Sequence, residues 1–320
     1  MSPRPRPLPF LRESRTAGGS LLTQEAGGEE GRPVRPGADQ AATRSRSRRG
    51  LALALPAWSY LVVFFALPLL LVVVFSFASR GPFGRTILTD WSLRSYGRLL
   101  DPLVFQIFWR SGWLAALATI ICLLIGYPFA YYIATRTPRV RNVLLVLVMV
   151  PFWTNFLVRT YAWRVILGSG GPWSQLTEAV GLGETRVLFS NTAIMIGLVY
   201  GFLPFMVLPL YAAIERLDWD LVEAARDLYA SGLQAFRRVT LPLSRPGIIA
   251  GSILVFVPSV GAYVTPELLG GANTTMLGSY VARQFLSARD WPFGSALSLL
   301  MMAVMLAALL AYFRAGAKNL

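Results

Sequence analysis

The segment Glu223–Ile248, EAARDLYASGLQAFRRVTLPLSRPGI, is polar, yet it lies between strongly apolar blocks of this chain. It also contains two helix-start signals. A structured polar segment between two membrane spans is available to a partner on one side of the bilayer. The number and orientation of the apolar blocks determine which side that is.

The composition is that of a membrane protein. Hydrophobic residues make up 55% of the 320 residues. A soluble domain carries about 25% charged residues, whereas this chain carries 14%. The sequence therefore predicts an all-α, polytopic membrane protein.

Six apolar segments are long enough to span, since about 20 helical residues cross a hydrocarbon core of about 30 Å. Proline lies inside or at the edge of most of them, and each proline removes a backbone donor and kinks a helix. Two explanations stay open: kinked helices around a cavity, or prolines that are merely common in membrane helices. The predicted spans are Leu51–Phe77, Trp113–Ala134, Val143–Val165, Thr192–Ile214, Ile248–Tyr263 and Phe293–Phe313.

Residues 1–49 differ from the rest of the chain. They are rich in Arg, Pro and Gly and poor in apolar residues, so we predict a disordered cytoplasmic tail. The alternatives are a stretch upstream of the true start, or a nucleic-acid-binding tail, which the composition favours less. Residues 50–320 would then form one transmembrane domain.

The residue types present exclude several classes of site. The chain has no histidine, which excludes Ser–His–Asp triads and His-ligated metal sites. Cys122 is the only cysteine, so an intrachain disulfide or a Cys-cluster metal site is excluded. We expect no catalytic residues, no metal and no partner nucleic acid. An intramembrane protease is excluded by the missing histidine and by the lack of aspartates within spans.

Orientation follows from basic residues near the span ends. The tight cluster Arg44–Arg49 precedes the first span and places the N-terminus inside. The basic loop 78–112 opposes this assignment, but the first span usually dominates. Six spans then place both termini and residues 215–247 in the cytoplasm.

Two short helices are predicted within the polar segment. Asp220 followed by Glu223, and Ser231 followed by Gln234, both read as capping boxes. Leu241–Pro242 should end the second helix, because the residue before proline avoids helical geometry. Either the helices form an ordinary surface loop, or they dock into a groove on a cytosolic partner.

The spacing of this segment resembles the EAA signature of ABC importer permeases. Glu223-Ala224-Ala225, Val239 and Leu241-Pro242 stand at matching positions, with Val239 in place of isoleucine. Tyr229 stands where the family has glycine. Because tyrosine resists a left-handed turn, we expect Gly232 to make the turn instead.

A wider resemblance extends from about Leu51 to the end of the chain. The motifs Leu203–Tyr211, Thr265–Gly271 and Asp290–Gly294 are similar to those of spermidine/putrescine importer permeases. Permeases for ferric iron, sulfate or opine-like amines share much of this layout and remain alternatives. An ion-coupled secondary transporter is a further one, although the charged or repeated spans that it would need are absent.

The resemblance implies a type I ABC importer permease in a bacterial inner membrane, surrounded by lipid. Implied partners are an ATPase dimer, a second homologous permease, and an extracytoplasmic binding protein that contacts residues 78–112, 166–190 and 266–292. This chain lacks GxxxxGK[ST], so it would bind no cofactor, and ATP and Mg²⁺ would lie on the ATPase. Coupling helices at about 215–246 would use Asp220, Glu223, Ala224, Ala225, Tyr229, Gly232, Leu241 and Pro242.

A polyamine is an elongated polycation, for which a path needs acceptor groups and aromatic faces. Carboxylates are nearly absent from the spans, as their cost in hydrocarbon requires. Each aromatic residue could equally serve in interfacial packing, and Glu267 could equally be a plain loop carboxylate. The path candidates are Trp153, Asn155, Tyr200, Tyr263 and Glu267, with Asp290 nearby.

Overall fold

A computed structural model of the chain describes residues 38–181, 183, 186–271 and 274–317. The predicted tail over residues 1–37 lies outside the described residues. Within the described residues, helix α1 begins at Ala38, inside the predicted tail. Alanine and arginine, which recur there, favour helix.

The chain is mostly helical, as predicted, and its described residues divide into two units, one ending at Leu61 and one beginning at Val62. In the first unit, the described side chains of Trp58, Tyr60 and Leu61 are exposed. The helices are α1 Ala38–Ser76, α2 Arg94–Arg98, α3 Pro102–Ala134, α4 Pro138–Trp153, α5 Phe156–Leu167, α6 Pro172–Ala179, α7 Asn191–Glu215, α8 Asp220–Asp227, α9 Gly232–Ala235, α10 Leu241–Leu243, α11 Arg245–Val260, α12 Val264–Leu269, α13 Leu277–Leu286 and α14 Trp291–Ala317. A 3₁₀ turn covers Pro82–Gly84 and a π-helical turn covers Phe236–Thr240.

Four helices in the described residues are long and apolar enough to cross a membrane, in α1, α3, α7 and α14. Two bent helix pairs bring the number of spans to six if each pair is one span. The predicted third span is not one kinked helix, because α4 and α5 meet at an angle of 86°. The break falls after Pro151, at Asn155, whose side chain accepts a hydrogen bond from the Leu157 N–H at 2.8 Å and so starts a new helix.

The predicted loop 78–112 is largely structured. Strands β1 Ala78–Arg80 and β2 Thr86–Trp91 pair antiparallel, with Ser79 opposite Ile87. Helix α3 begins at Pro102 instead of Trp113, and its 33 residues extend about 50 Å, well beyond a hydrocarbon core of about 30 Å. Helix α3 is therefore longer than one membrane crossing requires.

Helices α3, α7 and α11 form the core of the second unit. Met206 on α7 is fully buried between glycines of the two neighbours: a Cβ at Gly126 would lie 3.1 Å from Met206 Cγ, and one at Gly251 would lie 2.8 Å from Met206 Sδ. Small residues let membrane helices approach closely and gain van der Waals contact, which replaces the hydrophobic driving force absent in lipid.

Candidate functional site

The polar segment, residues 215–247, begins with a turn that fixes helix α8. Asp218 Oδ1 accepts a hydrogen bond from the Asp220 N–H at 3.1 Å. Trp219, the residue before α8, is already helical and makes no side-chain cap. The predicted Asp220–Glu223 capping box is therefore wrong. Both carboxylates lie in the first turn instead, where negative charge favours the helix dipole.

The turn after α8 is made by Tyr229 itself, at φ +62°. The Tyr229 N–H donates to the Arg226 carbonyl at 2.9 Å, and the Ala230 N–H donates to the Ala225 carbonyl at 3.1 Å. These two bonds form a Schellman motif, which normally has glycine at the left-handed position. The predicted turn at Gly232 is wrong, because Gly232 is the first residue of α9. The left-handed conformation costs a non-glycine residue about 1–2 kcal/mol.

The second predicted capping box is confirmed. The Ser231 hydroxyl accepts from the Gln234 N–H at 3.3 Å, and Gln234 Oε1 accepts from the Ser231 N–H at 2.9 Å. The prediction that Leu241–Pro242 ends this helical stretch is wrong. The helical stretch continues through the π-helical turn into α10, and the chain bends by 65° at Ser244 before α11. A wide turn before Pro242 accommodates the proline, which has no N–H to donate.

Aromatic side chains hold the polar segment against the end of α3. The rings of Tyr127 and Phe236 lie 5.5 Å apart, and those of Tyr131 and Trp219 lie 5.9 Å apart, both edge to face. The buried hydroxyls of Tyr127 and Ser244 are 2.8 Å apart and hydrogen-bonded. These contacts connect the polar segment to α3 and to the bend that begins α11.

The outer face of the polar segment carries the predicted coupling residues. Glu223 and Ala224 are exposed, while Val222 and Ala235 are buried toward the helices. Within the described part of the chain, Glu223 forms no ion pair. Leu241 and Pro242 are half-buried. The surface around Glu223 is therefore open to a partner.

The predicted path residues are only partly brought together. Tyr200 lies against Trp163, with ring centroids 5.4 Å apart, and Arg159 lies 5.6 Å from the Tyr200 ring. Trp153 is 75% exposed, and the carbonyl oxygen of the Asn155 side chain caps α5. Tyr263 directly precedes α12. Arg159, which sequence reasoning missed, also donates to the Pro151 carbonyl at 2.6 Å.

Glu267 and Asp290 lie at the end of the helical core opposite the polar segment, and both carboxylates are paired with arginine. Glu267 Oε2 accepts from Arg283 at 3.0 Å on the surface. Asp290 is buried, lies 2.7 Å from Arg98 and 3.5 Å from Arg80, and accepts from the Phe293 N–H at the start of α14. Asp290 therefore ties the hairpin and α2 to α14, which is a structural role.

We predict that Asp290→Ala destabilises the purified protein by about 2 kcal/mol, because it removes charge-assisted hydrogen bonds of about 1.5–3 kcal/mol and a helix cap of about 1 kcal/mol. The expected loss is smaller than the sum of these contributions, because both arginines remain half-exposed and solvated. Thermal unfolding in detergent would measure the loss. Glu267→Ala is the control, since an exposed ion pair contributes about 0–1 kcal/mol; equal losses from both substitutions would contradict the structural role of Asp290.

Burial raises the pKa of the Tyr280 hydroxyl above its ordinary value. Tyr280 packs edge to face on Phe293, which also lies beneath the Arg98 guanidinium at 3.9 Å. Its hydroxyl therefore stays neutral at physiological pH and adds no charge beside Asp290.

Residues 126–319 match the family described as "Binding-protein-dependent transport system inner membrane component". The chain belongs to this family. The matched region begins within α3 and includes the whole polar segment, so the resemblance inferred from Glu223–Pro242 is confirmed.

Relatives of this permease family cover most of the chain. It is 45% identical over 261 residues to the spermidine/putrescine transport system permease protein PotB of Escherichia coli (strain K12), covering 80% of this chain and 94% of that one. It is 44% identical to the protein of the same name from Haemophilus influenzae, covering 81% and 91%. It is 30% identical to the inner membrane ABC transporter permease protein YdcU of E. coli, covering 83% and 90%.

Solved structures agree with the fold. A chain of a bacterial ABC transporter involved in the import of the acidic polysaccharide alginate superposes with a TM-score of 0.64 at 16% identity, covering 88% of this permease and 99% of that chain. A chain of the alginate transporter in complex with its pentasaccharide-bound periplasmic protein gives 0.67 at 16% identity, with 85% and 94% covered. The predicted type I importer permease fold is confirmed.

Proposed function

We propose that this permease is one half of the pore of an ATP-driven importer that takes up spermidine or putrescine. The observation that carries the proposal is the 45% identity to a spermidine/putrescine permease, of which the chain covers 94%. The permease itself would be non-catalytic, and ATP with Mg²⁺ would bind and react on a partner ATPase dimer.

Coupling would take place at the polar segment. Its exposed Glu223 face is open, and its buried face is fixed to α3 by Trp219, Phe236 and Ser244. ATP-driven closure of the ATPases would push on α8 and α9. The aromatic contacts and the Tyr127–Ser244 hydrogen bond would then rotate α3 and α11, as alternating access requires.

The membrane orientation follows the basic cluster Arg44–Arg49, which supports a cytoplasmic N-terminus. In a bacterial inner membrane, both termini and the polar segment would face the cytoplasm. The hairpin, α2, the start of α3, α6 and α13 would face outward and receive the binding protein. A second, homologous permease would complete the pore.

The charge pattern at the outer end fits substrate delivery by a separate protein. Glu267 and Asp290 are both occupied by arginines, so neither is a free acceptor for a polycation. The aromatic group of Phe152, Phe156 and Tyr200 already holds the Arg159 guanidinium within 5.7 Å of each ring. Tyr200 would therefore contact an alkylammonium group of the substrate only if the Arg159 guanidinium moved away from its ring.

The test is ATPase stimulation in proteoliposomes that contain the permease, its partner permease and the ATPase. We expect the rate of ATP hydrolysis to rise when the polyamine-loaded binding protein is added. The unloaded binding protein is the control. Stimulation only by a sulfate- or iron-loaded protein would contradict the polyamine assignment.

A further inference from the structure

Tyr229 combines an unfavourable backbone conformation with a fully open side chain. Its φ is +62°, and its side chain is 98% exposed. Glycine would make the same Schellman turn without a steric cost. The backbone therefore gives no reason for tyrosine at this position.

The rest of the permease gives no reason either. Within the described part of the chain, the Tyr229 ring stacks on no other ring, and its hydroxyl takes part in no hydrogen bond. Backbone strain that local packing does not require is typical of functional positions.

The neighbours of Tyr229 form an exposed apolar surface, although the segment as a whole is polar. Leu228 is 81% exposed and Leu233 is 66% exposed. Leu221, in the first turn of α8, lies about two helical turns before the C-cap residue Leu228 and is also exposed. We call Leu221, Leu228, Tyr229 and Leu233 the apolar tip. Exposed charges of both signs, Arg226 and Asp227, lie beside it.

We propose that Tyr229 anchors the permease to its ATPase by inserting its ring into an apolar pocket of that subunit. This proposal rests on the proposed function, in which the polar segment meets the ATPase. The pocket would be apolar, to receive the ring and Leu228.

The strained turn explains how such an anchor would act. Two backbone hydrogen bonds fix the direction in which Tyr229 leaves the segment. A side chain that is already oriented loses less conformational entropy on binding. Tyrosine is among the residues most enriched in interface hot spots. The binding free energy gained by a rigidly oriented Tyr229 ring can therefore offset the cost of its strained backbone.

The experiment compares Tyr229→Gly with Tyr229→Phe in the full permease pair. We expect Tyr229→Gly to raise the Tm of the ATPase-free pair by about 2 °C, since strain is relieved. The same variant should bind the ATPase at least about tenfold more weakly, because a hot-spot ring is lost. Tyr229→Phe keeps the ring and should retain affinity within about threefold.

Arg289→Gly is the matched control, because Arg289 is another exposed residue at positive φ (+50°) but lies next to Asp290, at the opposite end. It should leave ATPase affinity unchanged. If the wild-type pair binds the ATPase and Tyr229→Gly binds it equally well, the anchor proposal is overturned while the proposed function stands. If the wild-type pair binds no ATPase, the proposed function fails first.

Discussion

Glu223→Lys is expected to abolish uptake while the permease still inserts into the membrane. Glu223 is exposed on α8 and forms no ion pair within the described residues, so its charge is available to a partner. Loss of one member of a buried interfacial charge pair costs about 2–5 kcal/mol, and reversal adds repulsion. ATPase affinity should therefore fall at least about 30-fold, measured by co-purification and by uptake in cells.

Glu178→Lys is the control for this substitution. It makes the same change of charge at another exposed glutamate, which lies on α6 and outside the polar segment. ATPase affinity should be unchanged. If Glu223→Lys retained both uptake and the ATPase, the assignment of α8 as the coupling helix would be wrong.

Gly247→Leu is expected to prevent stable assembly of the helical core. A Cβ at Gly247 would lie 2.5 Å from Ala213 Cβ and 2.8 Å from the Pro209 carbonyl oxygen of α7. Backbone atoms cannot move aside as a flexible side chain can, so α11 would have to separate from α7. Overpacking of this kind costs about 3 kcal/mol or more. Thermal unfolding in detergent and the amount of protein in the membrane would measure it.

Gly201→Ala on α7 separates the steric effect from the general cost of removing a glycine. No atom lies within 4 Å of a Cβ built at Gly201. Alanine is the better helix former by about 1 kcal/mol, so this variant should be as stable as the wild type or more stable. An equal loss of stability from both substitutions would mean that the close contact between α7 and α11 at Gly247 is not the cause.

The features predicted well from the sequence are those that depend on nearby residues. The Ser231–Gln234 capping box needs only two side chains three positions apart, and it forms as predicted. The apolar lengths of α7 and α14 likewise identify them as spans. The family signature from Glu223 to Pro242 is also a local pattern, and the family match confirms it.

The features that the sequence failed to predict depend on competing local interactions or on residues far apart in the chain. At Tyr229 two backbone hydrogen bonds outweigh a steric preference, and a preference alone predicts the opposite. At Asn155 a capping side chain converts an expected kink into a bend of 86°. Asp290 finds its partners Arg80 and Arg98 about 200 positions earlier in the chain, beyond any local pattern.

The π-helical turn Phe236–Thr240 also sets an angular phase. A π turn holds one more residue than an α turn, and each residue turns a helix by about 100°. The face of α9 is therefore rotated by about that angle relative to α10, compared with an uninterrupted α-helix. In the proposed complex, this extra residue would set which flank of α9 faces the ATPase.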